Sequence, residues 1–252
     1  MKFINEAHFN VMINASRKAN RLTIRDFVEI ENLQQSRSGS IGFSSKCEER
    51  IKQILCEELS RSREDYNILD RELNILLEGS KSLEADHHFI IYPLDGFNNF
   101  AHGIPLFTTI IILQKRNLNQ DFETIGILID CPVLKEVYAC EKGGGAWRET
   151  YAESITRSGR LRISSRKEIA DLLIATTEEI KNDNFKTLNL SCVGLEVAYF
   201  ASGKFDCLIT KNKLTAKIFN VLAIEAGGNM ITKQDYFIFH NNQNHQQVVE
   251  WL

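Results

Sequence analysis

The stretch "IIYPLDGFNNFAHGIPLFTTIII", Ile90 to Ile112, decides how this chain is read. A β-branched apolar run ends in Pro93-Leu94-Asp95-Gly96, and apolar residues then resume. "FIIYPL" and "LFTTIIILQK" therefore read as two buried strands. A single acid at a strand end is ordinarily a turn residue, whose carboxylate accepts nearby backbone N–H groups. Two acids there make a cation site, because hard divalent ions take oxygen ligands. Here Asp95 is preceded at three residues by Tyr92, not by a second acid.

Composition bounds the answer from outside. The chain has 252 residues, 43% of them hydrophobic, enough for one large domain or two tightly packed ones. Three prolines and fourteen glycines argue against a disordered or fibrous chain. Thirty basic and thirty-three acidic residues give a net charge of -3, so neither a nucleic-acid stripe nor a polybasic membrane anchor is expected. The six cysteines, at 47, 56, 131, 140, 192 and 207, form no C-x-x-C pair and lack zinc spacing. They read as small buried hydrophobes in a reducing cytosol. "MKFINEAHFN" carries acids and a histidine where a signal peptide needs an apolar run, and no apolar stretch reaches membrane-spanning length. The expected location is the cytoplasm.

Along the chain, Phe9, Met12, Ile13, Leu22 and Phe27 fall near helical spacing, in one long helix or two. "SRSGSIGFSS", from Ser36, reads as a loop, because glycine and serine punctuate structure. "KCEERIKQILCEELSRS" is an amphipathic helix with Ile51, Ile54, Leu55 and Leu59 on one face. "ETIGILIDCPVLKEVYACEKGGGAW" reads as two antiparallel strands turning at Asp130-Cys131-Pro132 and ending in a glycine run. Such glycines can cradle a phosphate, but no G-K-[ST] follows, and a tight turn is the better reading. "LRISSR" is expected as a short strand, and "KEIADLLIATT" as a helix leading into a strand. "VGLEVAYFASGKFDCLIT" and "TAKIFNVLAIEAGGNMIT" are two helix–strand units stopped at Gly203 and at Gly227-Gly228. "NQNHQQVVEWL" closes the chain as a helix. The pattern changes from hairpins to helix–strand alternation near Ala146–Thr150. Two halves are expected, 1–147 and 148–252, packed as one compact unit.

At "PLDGFNNFAHGIPLF" the chain closely resembles the inositol monophosphatase family, in particular its bacterial extragenic-suppressor branch. The family pattern is D-P-[IL]-D-G-T-x-N-F, often continued as H-G-[IF]-P. Pro93, Leu94, Asp95, Gly96, Asn99, Phe100, His102, Gly103 and Pro105 match it. "GSIGFSSKCEERIKQIL", "EKGGGAW", "GLEVAYFASGKFD" and "AIEAGG" resemble further family segments, so the likeness covers most of the chain. It implies an α+β fold layered as an α-β-α-β-α sandwich, with the site between the halves. It also implies Mg²⁺-assisted hydrolysis of inositol 1-phosphate or a related sugar phosphate, a homodimer, and by analogy an association with RNA polymerase.

The family's ligands carry over one by one. Its Glu-Glu pair falls on Arg71 and Glu72, or with a shifted gap on Glu78. The first aspartate of D-P-L-D is Tyr92, the second is Asp95, and the Leu94 carbonyl lies between them. The threonine after D-G is Phe97. The later W-D pair falls on Leu214 and Thr215. In the upstream G-x-x-D-x-V-T-x-x-D segment, Gly42, Ser45 and Glu48 stand at the aspartate, threonine and final aspartate positions. Asp95, Leu94 and Glu72 remain as metal ligands, and Arg71, Tyr92 and Thr215 are lost ones. Two divalent ions about 4 Å apart repel by about 17 kcal/mol at an effective dielectric near 20. One or two acids beside Arg71 do not offset that, so Mg²⁺ binding is expected to be weak or absent. Turnover is then strongly impaired or lost, and the alternative is a non-catalytic binding or regulatory protein. Two readings of the remaining site stay open. Gly96, Phe97 and Arg71 keep a metal-poor phosphate pocket, or Arg71 is a solvated surface charge while Tyr92 and Phe97 fill a collapsed site. His102, Glu196 and Glu225 read as structural, Asp206 matches a strand-start aspartate that is structural or near substrate in the family, and Thr210 falls near a sugar-contacting acid of the family.

Overall fold

The computed structural model describes residues 7–33, 37–80, 85–151, 156–178, 180, 185–243 and 245–250. The first six residues of the chain and parts of the expected loop at Ser36 and of the C-terminal helix lie outside them.

Two long helices open the chain: α1 (Ala7–Leu33) and α2 (Arg37–Ser62). The segment expected as a loop is therefore the first turns of α2. Its small residues explain this. Ser40, Ser44 and Cys47 are buried at helical spacing ahead of Ile51 and Leu55, and they let α2 pack closely on α1. The Ser44 and Ser45 hydroxyls donate back to the Ser40 and Ile41 carbonyls, the way helical serines satisfy themselves.

The first sheet contains β1 (Asn67–Leu69), β2 (Ile75–Leu77), β3 (His87–Asp95), β4 (Thr108–Arg116), β5 (Phe122–Cys131), β6 (Glu136–Glu141), β7 (Gly145–Tyr151) and β8 (Thr156–Arg160). Their order is β2-β1-β3-β4-β5-β6-β7-β8, with β1 parallel to β3 and the other neighbours antiparallel. A short helix, α3 (Phe97–Ala101), joins β3 to β4. The second sheet contains β9 (Leu173–Thr176), β10 (Lys186–Leu188), β11 (Cys207–Thr210), β12 (Asn229–Lys233) and β13 (Tyr236–His240), in the order β10-β9-β11-β13-β12. Helices α4 (Val193–Ala201) and α5 (Lys213–Glu225) lead into its later strands, and α6 (His245–Glu250) follows them. The first sheet thus runs to Arg160 and the second starts at Leu173.

Three apolar cores follow from strand alternation. One face of the first sheet, with Ile91, Ile111, Leu113 and Leu128, packs on α1 and α2. The opposite face, with Ile90, Ile110, Ile112 and Ile129, packs on α4 and α5, which also meet Ala175, Leu208 and Phe239 of the second sheet. The outer face of the second sheet, with Ile174, Cys207 and Ile238, meets Val248 of α6. The molecule is a helix–sheet–helix–sheet–helix sandwich, as expected.

"LRISSR" is not a strand. Residues 161–168 carry no regular structure. Their backbone is satisfied piecemeal: Asn241 Nδ2 donates to the Ser164 and Arg166 carbonyls, and the Ile163 N–H donates to Ala226. Asp206 also binds there, accepting from Ser164, from Arg166 at 2.8 Å and from the Leu173 N–H at 2.8 Å. The six cysteines carry free thiols; five are buried and Cys56 is half-buried. No helix among the described residues is long and apolar enough to cross a membrane.

Candidate functional site

The end of β3 is irregular, and the irregularity makes the site. The ladder to β4 pairs Tyr92 with Ile110 and Asp95 with Thr108, and the register shifts between them. Pro93 sits at that shift and has no N–H to give the ladder. In a regular strand, residues three apart point to opposite faces. The bulge instead brings Tyr92 and Asp95 to one side, where both line a cleft of about 390 Å³. Leu94 is fully buried in the opposite core, against the helices.

Asp95 is buried and fully engaged on one oxygen. Its Oδ2 accepts from the Gly194 N–H at 2.8 Å, the Cys192 Sγ at 3.1 Å and the Thr108 Oγ1 at 3.2 Å. Gly194 lies in the first turn of α4, whose N-cap, Cys192, makes no side-chain capping bond of its own. Asp95 supplies that cap from another element, at the end of the helix where negative charge is favoured. The approach is close: a Cβ on Gly194 would come within 2.5 Å of Thr108 Oγ1 and 3.2 Å of Asp95 Oδ2. Gly96, which follows Asp95, is left-handed at φ 83°, and a Cβ there would meet the Leu106 carbonyl at 2.7 Å. Its role is the sharp turn into α3.

Arg71 and Glu72 stand on the tip of the β1–β2 hairpin. Asp70 shapes that tip by accepting the Glu72 and Asn74 N–H groups at 2.9 and 2.8 Å. The Arg71 guanidinium lies over the Tyr92 ring, 5.3 Å from its centroid, and 3.8 Å from Glu48 Oε1. Burial raises the Glu48 carboxyl above its ordinary value, and Arg71 opposes that rise. The Tyr92 hydroxyl is pushed up to about 12, first by burial and then by Asp95. Glu72 lines the cleft beside Arg71. Glu78 is exposed and lies beyond the other end of β2. The pairings Ile68↔Leu77 and Asn67↔His88 set it level with the start of β3, roughly 20 Å from Asp95 at a strand rise of about 3.3 Å per residue.

The far wall comes from α4, β11 and the start of α5. Glu196 is 3% exposed and lines the cleft. Its Oε1 accepts the Leu190 N–H at 2.8 Å. Burial raises its carboxyl to about 7, Leu190 opposes the rise and Asp95 adds to it. Leu214 and Thr215 also line the cleft, and the Thr215 N–H is taken by Asn212 Oδ1 at 2.9 Å, the N-cap of α5. Thr210 accepts the Asn212 N–H at 3.0 Å.

Arg71, Glu72, Tyr92, Asp95 and Thr215 therefore converge on one cleft. Phe97 is placed elsewhere: it packs with the helix-side core, on the opposite side of the sheet. Tyr92 lines the open cleft, and Phe97 is not among its lining residues. α3 spans only five residues, too short to be an anion site of its own. Ser45 is exposed and lines a neighbouring hollow with Glu48, Arg71 and Glu72. His102 is the exposed C-cap of α3. The sequence reading missed Thr108, Cys192 and Gly194, the partners of Asp95, and took Glu196 for an ordinary helix residue. Only the glycine opening "VGLEVAYF" hinted at them, because glycine marks close backbone approach. Among the described residues, no three of His, Cys, Asp or Glu come together as cation ligands.

Two sheets in a helix–sheet sandwich, with a cleft where the end of one strand meets the helices between them, define a layered α-β-α-β-α class of protein. The chain belongs to the inositol monophosphatase family, whose model matches residues 8–234. It is 32% identical over 216 residues to an inositol-1-monophosphatase of Rhizobium meliloti, covering 79% of this chain and 75% of that protein. It is 24% identical over 213 residues to the Nus factor SuhB of Escherichia coli K12, covering 78% and 73%. The crystal structure of the extragenic suppressor protein suhB from Bartonella henselae superposes with a TM-score of 0.77 at 24% identity, covering 99% of each chain. The Thermotoga maritima IMPase superposes at 0.72 with 20% identity, covering 97% of this chain and 96% of that one.

Proposed function

We propose that this chain is a family member whose metal-assisted phosphomonoesterase chemistry is strongly impaired or lost, while the fold and an open cleft are kept. One observation carries the reading. Asp95 spends Oδ2 on three internal donors, and the position three residues before it holds the Tyr92 ring under the Arg71 guanidinium. Divalent cations need several carboxylate oxygens, and a pair of them needs enough negative charge to offset mutual repulsion. Among the described residues Asp95, Glu72 and Glu196 line the cleft without coming together as cation ligands, and Arg71 adds a positive charge, so they do not fit a two-cation cluster. A single weakly held Mg²⁺ at the free oxygen of Asp95 is the most these residues supply.

The test is release of phosphate from inositol 1-phosphate over a Mg²⁺ series. The expected result is no release above background. Turnover near the median enzyme rate, about 10 per second, overturns the reading.

A second reading is a regulatory protein that associates with RNA polymerase and does not use the metal site. Relatives named Nus factor SuhB, at 24–26% identity, favour it. Co-elution of the chain with purified RNA polymerase, without turnover, selects this role. Separate elution of the two removes it.

A further inference from the structure

The charged residues lining the cleft are three acids, Glu72, Asp95 and Glu196, and one base, Arg71. Arg71 does not balance the acids inside. Its guanidinium lies over the Tyr92 ring and 3.8 Å from Glu48, which lines the neighbouring hollow and not the cleft. Among the described residues, no lysine, arginine or histidine lies within ion-pairing distance of Glu72, Asp95 or Glu196.

The two deep acids, Asp95 and Glu196, are each more than nine-tenths buried. Asp95 places its three internal donors on Oδ2, while Oδ1 accepts from no described residue and opens on the cleft. The Leu190 and Ser191 N–H groups lie against the Glu196 carboxylate, and no described side chain donates to it. Glu72 stands at the mouth, on the exposed hairpin tip. A divalent ion needs several oxygens gathered around one point, and these acids are not so gathered. Carboxylates that line one cleft but stand apart suit cationic groups that a carbon frame also holds apart. An ammonium carries a full charge and three donors, and a single carboxylate oxygen already pairs it.

We infer that the cleft takes an amino-substituted cyclic polyol, with its ammonium groups on Asp95 Oδ1, Glu196 and Glu72. The threonines at 210 and 215 line the same cleft and face the ring hydroxyls. The cleft's volume, about 390 Å³, has room for one substituted ring. This inference rests on the reading that no metal pair occupies the cleft, because divalent ions there would repel the ammonium groups.

Calorimetric titration of the full chain with 2-deoxystreptamine, a cyclitol bearing two amines, tests it at neutral pH and low salt with a chelator present. The native chain is expected to bind, and to bind myo-inositol, the ring with hydroxyls alone, at least about tenfold more weakly. The Glu72→Gln, Glu196→Gln double variant is expected to lose at least about tenfold in affinity for the amine. Thermal unfolding controls for folding, and the exposed Glu72→Gln single variant, expected to bind more weakly than the native chain, carries the test if the double variant does not fold. Absence of binding to the native chain overturns the inference, as does equal affinity for myo-inositol, or binding that these variants keep. Phosphate release over the Mg²⁺ series is a separate readout, so failure of the impaired-phosphatase reading is told apart from failure of this one.

Discussion

At the residue scale the central question is what Asp95 is for. Its three donors are buried with it, and each loses its acceptor if the carboxylate is removed. Asp95→Ala is expected to lower unfolding free energy by about 2–3 kcal/mol in a denaturant titration, from a lost helix cap and unsatisfied buried donors. No measurable loss would mean the carboxylate is free for a ligand. Glu196 makes a second prediction. Its folded-state value, about 7, lies above the ordinary 4.5. Between these values the unfolded chain binds fewer protons than the folded one, so stability falls as pH rises through this window. The size is on the order of 3 kcal/mol. Glu48 adds a slope of the same sign, so the comparison is with Glu196→Gln, which keeps an acceptor for Leu190. The native chain is expected to lose stability relative to that variant from about pH 5 to about pH 7. Parallel profiles would contradict the burial assigned to this carboxyl.

At the element scale, the glycine run between β6 and β7 shows how a phosphate-like motif is used internally. The N–H groups of Gly143 and Gly145 donate to the two oxygens of Glu225, at 2.6 and 2.8 Å. The turn therefore holds an anion, but the anion is the last residue of α5. Glu225→Ala is expected to cost about 1–2 kcal/mol and to speed amide exchange at Gly143 and Gly145 while β4 stays protected. Unchanged exchange at the two glycines would remove Glu225 from this role. The same scale shows what the sequence makes legible. α1, the main strands and the two helix–strand units carry long apolar periods, and all appear. α2 begins earlier than expected because Ser40 and Ser44, which read as loop by composition, extend the buried stripe of Cys47 and Ile51 as a helix face. Residues 161–166 read as a strand, yet the Ser164 and Arg166 carbonyls accept from Asn241 and their side chains donate to Asp206 in place of a ladder. Arg71, Tyr92 and Thr215 are picked out by register against the family motif, and all three line the cleft. Thr108, Cys192 and Gly194 are not picked out, because contacts that span up to 99 residues leave no local pattern.

At the scale of the whole molecule, the layered order was legible only through the family likeness; periodicity gives strands and helices but not which faces meet. The physical link is the middle layer. α5 touches β5, β6 and β7 of the first sheet on one side and β11, β12 and β13 of the second on the other. Phe219, fully buried on α5, stands edge-on to Tyr92 at 6.3 Å and belongs to the core shared by both sheets. If the two halves fold as one unit, a cavity at Phe219 must be felt equally in both. Phe219→Ala is expected to lower stability by about 3–5 kcal/mol. In native-state hydrogen exchange, the slowest amides of β4 and of β11 should fall together by that amount. A fall confined to β11, with β4 unchanged, would make the second sheet a separate folding unit, and the cleft between the sheets would then open without unfolding the first.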